Sequence, residues 1–105
     1  MKVVLTPEAQ GELADIWAWN AKDRGILHAD RYVGFLMESI FALTETYALG
    51  RPVSTRDDFR YTVIRRRSKG HGHIAVYTFE EEQVTVLHVF HTAQDWEAKV
   101  AEDQP

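Results

Sequence analysis

The stretch from Phe59 to His91, FRYTVIRRRSKGHGHIAVYTFEEEQVTVLHVFH, decides the fold. It holds three runs rich in Val, Ile, Thr, Tyr and Phe: Phe59 to Arg66, His73 to Phe79 and Gln83 to His91. These residue types fit a pleated, half-buried surface. Ser68-Lys69-Gly70-His71-Gly72 and Glu80-Glu81-Glu82 separate the runs and are short enough for hairpins. The reading is a three-stranded antiparallel meander. Side chains alternate along a strand, so Leu87, Val89 and His91 are expected on one face of the last run, and Val84, Val86, His88 and Phe90 on the other. Both faces are largely apolar. One must meet helices. The other needs either the chain's own tail, with Trp96 and Val100, or a partner chain, since an uncovered apolar sheet face marks an interaction surface.

Working back towards the N-terminus, residues 2–5 read as a short strand that stops at Thr6-Pro7. Thr6 suits an N-cap, Pro7 the first helical position, and Glu8 and Glu12 the positive end of the helix dipole. A helix is expected from about Pro7 to Lys22, with Ala9, Leu13, Ile16, Trp17 and Asn20 on its inner stripe. Trp19, two residues from Trp17, then lies nearer the surface. Arg24-Gly25 closes this helix. A second is expected from about Ile26 to Tyr47, burying Ala29, Val33, Leu36, Met37, Ile40, Phe41, Thr44 and Tyr47, and ending at Gly50-Arg51-Pro52. So short a turn makes the two an antiparallel hairpin. Residues 51–57 read as polar loop. Helices and strands in separate blocks mean an α+β fold, with the hairpin packed on one sheet face.

A chain of 105 residues fits a single domain spanning 1–105. With 45% hydrophobic and 27% charged residues it is an ordinary globular composition. There is no cysteine, so neither disulfides nor thiolate metal ligands arise. The N-terminal apolar run is too short for a signal peptide, and no apolar stretch is long enough for a membrane span. A cytoplasmic location is expected. The net charge of −4 and pI of 5.7 argue against a dedicated nucleic-acid binder, which normally carries a basic excess. The basic residues are nevertheless grouped: Arg60, Arg65, Arg66, Arg67 and Lys69 fall in a stretch without acids.

Three segments together resemble one family. Leu5-Thr6-Pro7-Glu8-Ala9, followed by Leu13 and Asp15-Ile16-Trp17, resembles the opening of ParE-like toxins. Ala29-Asp30-Arg31-Tyr32 through Ile40 and Leu43 to Gly50-Arg51-Pro52 resembles their second helix and its exit. Arg60, Ile74 to Tyr77 and Val86 to His91 resemble their sheet, which ends in a histidine. The ordered set covers about residues 3–97 and is similar to the RelE/ParE superfamily of type II toxin–antitoxin systems, on the ParE-like side. The resemblance implies the element order already read from the residues. It also implies a cognate antitoxin whose C-terminal segment wraps the hairpin and sheet. RelE-like members cut mRNA on the ribosome, whereas ParE-like members bind DNA gyrase with no recognised chemistry of their own. The chain departs from the pattern at Tyr47-Ala48-Leu49, where a proline is usual, and in its His71-Gly72-His73 turn.

Ribonuclease chemistry needs a proton donor and acceptor and cations for the phosphorane. His91, Arg65, Arg67 and Arg60 are the candidates, with Lys69 as a further phosphate clamp and Tyr61 and Tyr77 for stacking a base. Against this stand the acidic charge and Gln94, which cannot hold an anion as arginine can. His91 equally suits a structural role, capping a carbonyl or bonding Asp95. The leading reading is a toxin that inhibits DNA gyrase by binding, with no cofactor. Its partner contacts would be Trp19, Arg60, Arg65, Arg66, Arg67 and Lys69. A ribosome-dependent endoribonuclease and an inactive antitoxin-binding module are the alternatives. Arg65 and Arg67 are expected on one strand face and Arg66 on the other, which would equally serve to solvate a sheet edge. His71, His73, His88 and His91 are not expected to converge on a metal ion.

Overall fold

A computed structural model describes residues 1–67 and 70–103. The α+β order holds: β1 (Lys2–Leu5), α1 (Pro7–Arg24), α2 (Ile26–Phe41), a one-turn helix α3 (Leu43–Thr46), a 3-10 turn (Tyr47–Leu49), β2 (Arg51–Val53), β3 (Arg56–Ile64), β4 (His73–Glu80), β5 (Gln83–His91) and α4 (Trp96–Ala101). The meander β3–β4–β5 is the centre of a five-stranded sheet ordered β1-β5-β4-β3-β2, with β1 parallel to β5 and the other pairs antiparallel.

The hairpin follows from its caps. Thr6 Oγ1 accepts the Ala9 N–H at 3.1 Å, with Pro7 at the first helical position. Gly25, at φ 96°, adopts a left-handed backbone that other residues resist, and so ends α1 and starts α2. Ala9 and Leu13 of α1, Leu36 and Ile40 of α2, and Leu43 form one core with Ile64, Ala75, Tyr77, Val84, Val86 and Val89 of the sheet.

Three boundaries differ from the expectation. The second helix ends at Phe41, not Tyr47. The chain then folds inwards so that Leu43 is buried, the Tyr47 carbonyl accepts the Tyr77 hydroxyl at 2.7 Å, and the Tyr47 ring lies on Phe79. A buried phenol needs a hydrogen-bond partner, and this one outweighs continued helix. Residues 51–57 are not all loop: Arg51–Val53 pairs with β3. Pro52 is tolerated because β2 is an edge strand. Finally, β3 stops at Ile64, so Arg65, Arg66 and Arg67 lie beyond the strand and do not alternate across it.

The most consequential difference is in β5. Val76 opposes His88 but Tyr77 opposes Val86, so Leu87 is an inserted residue, a β-bulge. The expected alternation therefore fails. Val84 and Val86 before the bulge and Val89 after it all face the helices. Leu87 and Phe90 join a second core on the far face with Val53, Phe59, Ile74 and Val76. The bulge is held by the start of α1: the Leu87 carbonyl accepts Thr6 Oγ1–H at 2.9 Å, the Val86 carbonyl accepts the Thr6 N–H at 3.0 Å, and Glu12 accepts the Val89 N–H at 2.9 Å. On the far face the tail supplies the cover. Trp96 and Val100 of α4 are buried in that second core, and Trp96 packs against Tyr61.

Candidate functional site

A cleft opens where the hairpin passes over the end of the meander. Asp15, Ile16, Trp19, Asn20, Asp23 and Arg24 line it from α1, and His28 and Tyr32 from α2. Arg66, Arg67, His71, His73, His91 and Gln94 line it from the sheet side. The helical wall carries two acids, Asp15 and Asp23, beside Arg24 and His28; the other carries two arginines and three histidines. A second concavity, at the opposite end of β4 and β5, is lined by Met1, Lys2 and Glu80–Gln83 and gathers no comparable set.

Three histidines, His71, His73 and His91, meet in the cleft. Continuing the Glu80↔Gln83 pairing would set His73 opposite Phe90, but the extra residue at the bulge sets it opposite His91. The His73 and His91 rings lie 5.2 Å apart at 90°, and the His71 and His91 rings 5.4 Å apart. His88 is elsewhere, across the sheet. Among the described residues no group of three His, Asp or Glu side chains is placed to hold a metal ion.

Burial is the main reason that the His73 pKa falls to about 4, and the charge of His91 adds to it. Burial also lowers that of His91, with His71 adding repulsion. Both are therefore neutral near pH 7. Tyr32 Oη and His73 Nδ1 share a hydrogen bond at 2.6 Å, and burial raises the phenol pKa, with Arg66 pulling it back only partly. In His91 a backbone hydrogen bond fixes which nitrogen is bare. His91 Nδ1 accepts the Ala93 N–H at 3.0 Å. In the His91 ring the proton then sits on Nε2, which becomes a neutral donor with no lone pair to offer. His91 thus does have a capping role, though it caps an N–H and neither a carbonyl nor Asp95. Gln94 is likewise occupied, its Oε1 accepting the His91 N–H at 2.8 Å.

The other predicted residues are distributed unevenly. Arg66 lies over the Tyr32 and Phe35 rings at 5.9 and 5.6 Å and reaches the cleft beside Arg67. Arg65 Nε donates to the Gly70 carbonyl at 3.0 Å and holds the hairpin instead of lining the cleft. Arg60 bonds the Gly50 carbonyl at 2.8 Å and lies over Phe79. Arg60 pairs with Tyr77 and Ile64 with His73, so Arg60 is about 13 Å down the strand from the cleft at the usual rise. Lys69 lies outside the described residues. Trp19 stands 70% exposed at the rim, and Ile26 and Leu27 are exposed where α2 begins. Trp17 is not a core residue: its indole N–H donates to Asp30 at 2.8 Å and ties the two helices. Sequence reasoning missed Tyr32 and His28 and weighed His73 only as a metal ligand; the His71-Gly72-His73 turn was the available signal.

A helical hairpin laid on one face of a largely antiparallel sheet, with an open cleft at the sheet's end, defines a small α+β class. The chain belongs to the ParE toxin family: residues 3–96 match the family described as the ParE toxin of the type II toxin–antitoxin system, parDE. Its structure is similar to a chain of the chromosomal ParDE toxin–antitoxin system from P. aeruginosa, with a TM-score of 0.73 over 86% of this chain and 94% of that one. At 18% identity that likeness concerns the fold. None of the curated proteins matches the sequence. Among the described residues no helix is long and apolar enough to cross a membrane.

Proposed function

We propose that this type II toxin stops DNA gyrase by binding it, without chemistry of its own, and that a cognate antitoxin neutralises it. Family membership supports the toxin role, and the structurally similar chain comes from a toxin–antitoxin system. The observation that favours binding over RNA cleavage is the protonation state of the cleft. Cleavage by a 2′-hydroxyl needs a group that gives a proton to the leaving oxygen. His73 and His91 are both held neutral near pH 7, and a neutral imidazole N–H is a poor acid. Gln94 brings no cation to that end of the cleft. Trp19, Arg66 and Arg67 then serve as partner contacts on the rim and wall. Arg60, Arg65 and Lys69 serve as further basic contacts. A gyrase target places the protein in the cytoplasm.

Expression from a tightly controlled promoter in a bacterial host tests the proposal. Filamenting cells with relaxed or cleaved plasmid support it. Arrested translation with intact supercoiling moves the function to a ribosome-dependent ribonuclease, for which Arg67 and His91 are the cleft residues to mutate. Tight antitoxin binding with no growth effect marks an inactive module.

A further inference from the structure

The opposite side of β5 carries a histidine that the cleft does not use. His88 has a carboxylate on each ring nitrogen: Nδ1 is 3.0 Å from Glu12 Oε2 on α1, and Nε2 is 2.8 Å from Asp103 Oδ2, just beyond α4. The Phe90 ring stacks on it at 4.7 Å. The nearby cations are turned to other partners. Lys99 of α4 lies over Phe90, and Arg56 of β3 bonds the Asp103 carbonyl and the Asp58 carboxylate. Val76, opposite His88 on β4, carries no charge.

A bare imidazole nitrogen facing a carboxylate oxygen at this distance sets lone pair against lone pair. Two such contacts are attractive together only if both nitrogens carry protons. We propose that His88 is a proton-operated latch: as an imidazolium it ties the end of the C-terminal tail to α1, and on losing a proton it lets Asp103 go. Asp103 is the side that yields. Glu12 sits on an 18-residue helix and is also held by the Val89 N–H. Asp103 follows the last turn of a six-residue helix, held by the 3.0 Å bond of its N–H to the Val100 carbonyl and by Arg56. Trp96 and Val100 stay seated in the second core, so the latch governs residues 102–103 and not the whole of α4. It grades how firmly residues 102–103 stay docked beside α1.

The Glu12 hydrogen bond raises the His88 pKa above the ordinary imidazole range; burial opposes it and Asp103 adds to the rise. A raised folded value means that the latch is complete below about pH 6.5, the ordinary histidine value, and is lost as pH climbs through the folded one.

The test is an NMR titration of the intact protein and of Asp103→Asn, following the His88 ring nitrogens and the amide protection of Glu102 and Asp103. In the parent protein both ring nitrogens should be protonated at pH 6.5, with a midpoint above that of free histidine. Asp103→Asn should lower the midpoint. The protection of the two tail amides should fall, between pH 6 and pH 9, about tenfold for each unit of that lowering. The β4 amides should stay protected throughout, showing that the fold is intact. A midpoint at or below that of free histidine, a midpoint unmoved by Asp103→Asn, or tail protection independent of pH would each overturn the latch.

Discussion

Taking His73 out of water and setting it between Tyr32 and His91 costs its charged form most, and this gives a prediction with a definite sign. Its folded pKa, about 4, lies below the ordinary 6.5. The unfolded chain therefore takes up a proton first as pH falls. Stability from this residue is complete above about pH 6.5 and is lost between there and pH 4, by on the order of 2–3 kcal/mol. Urea denaturation at pH 7.5 and 4.5 should show this loss as the difference between the parent protein and Tyr32→Phe/His73→Phe, since His88, with a raised pKa, works in the opposite sense in both. Tyr77 offers a second test. A Cβ at Gly50 would overlap its hydroxyl, and the buried ring cannot swing away. Gly50→Ala should cost about 1–3 kcal/mol, read as a lower Tm. At this scale the sequence was partly legible. An exposed Trp19 follows from helical spacing alone. The roles of Trp17, Tyr32 and His73 do not, because each depends on a partner at least 13 positions away.

Elements add their own tests. Gly11 lies within α1, and a Cβ there meets nothing within 4 Å. Gly11→Ala should therefore stabilise by about 0.5–1 kcal/mol by lowering the backbone entropy of the unfolded chain. Thr6→Ala should destabilise by about 1–2 kcal/mol, since it removes both the cap on Ala9 and the bond to the Leu87 carbonyl at the bulge. Thermal melts of the two variants should move in opposite directions. The helical hairpin and the meander were readable because caps, glycines and alternation are local signals. β2 was not, being three residues with a proline whose pairing is set by Val53 entering the second core. Nor was the bulge. Nothing in Gln83–His91 announces an inserted residue; Thr6 and Glu12, some 80 positions away, hold it open. That one residue turns His91 towards the helices and assembles the cleft.

For the whole molecule, net charge and surface decide what kind of function is plausible. A chain with net charge −4 gains little from phosphate contacts along a nucleic acid. Its cleft sets Asp15 and Asp23 opposite Arg66 and Arg67, a mixed pattern suited to a protein partner. The rim tryptophan supplies an apolar anchor. The family was legible from the ordered segments of the sequence; the cleft was not, because strand pairing and the α1 contacts build it. The most direct test of binding without cleavage is DNA gyrase supercoiling of relaxed plasmid with increasing purified protein, beside Trp19→Ala and Arg67→Glu variants. Inhibition that saturates with the parent protein, weakens at least tenfold in a variant and is accompanied by no RNA cutting on ribosomes is the expected result. Full supercoiling at saturating protein, with mRNA cut in a ribosome-dependent reaction that His91→Ala abolishes, would contradict it.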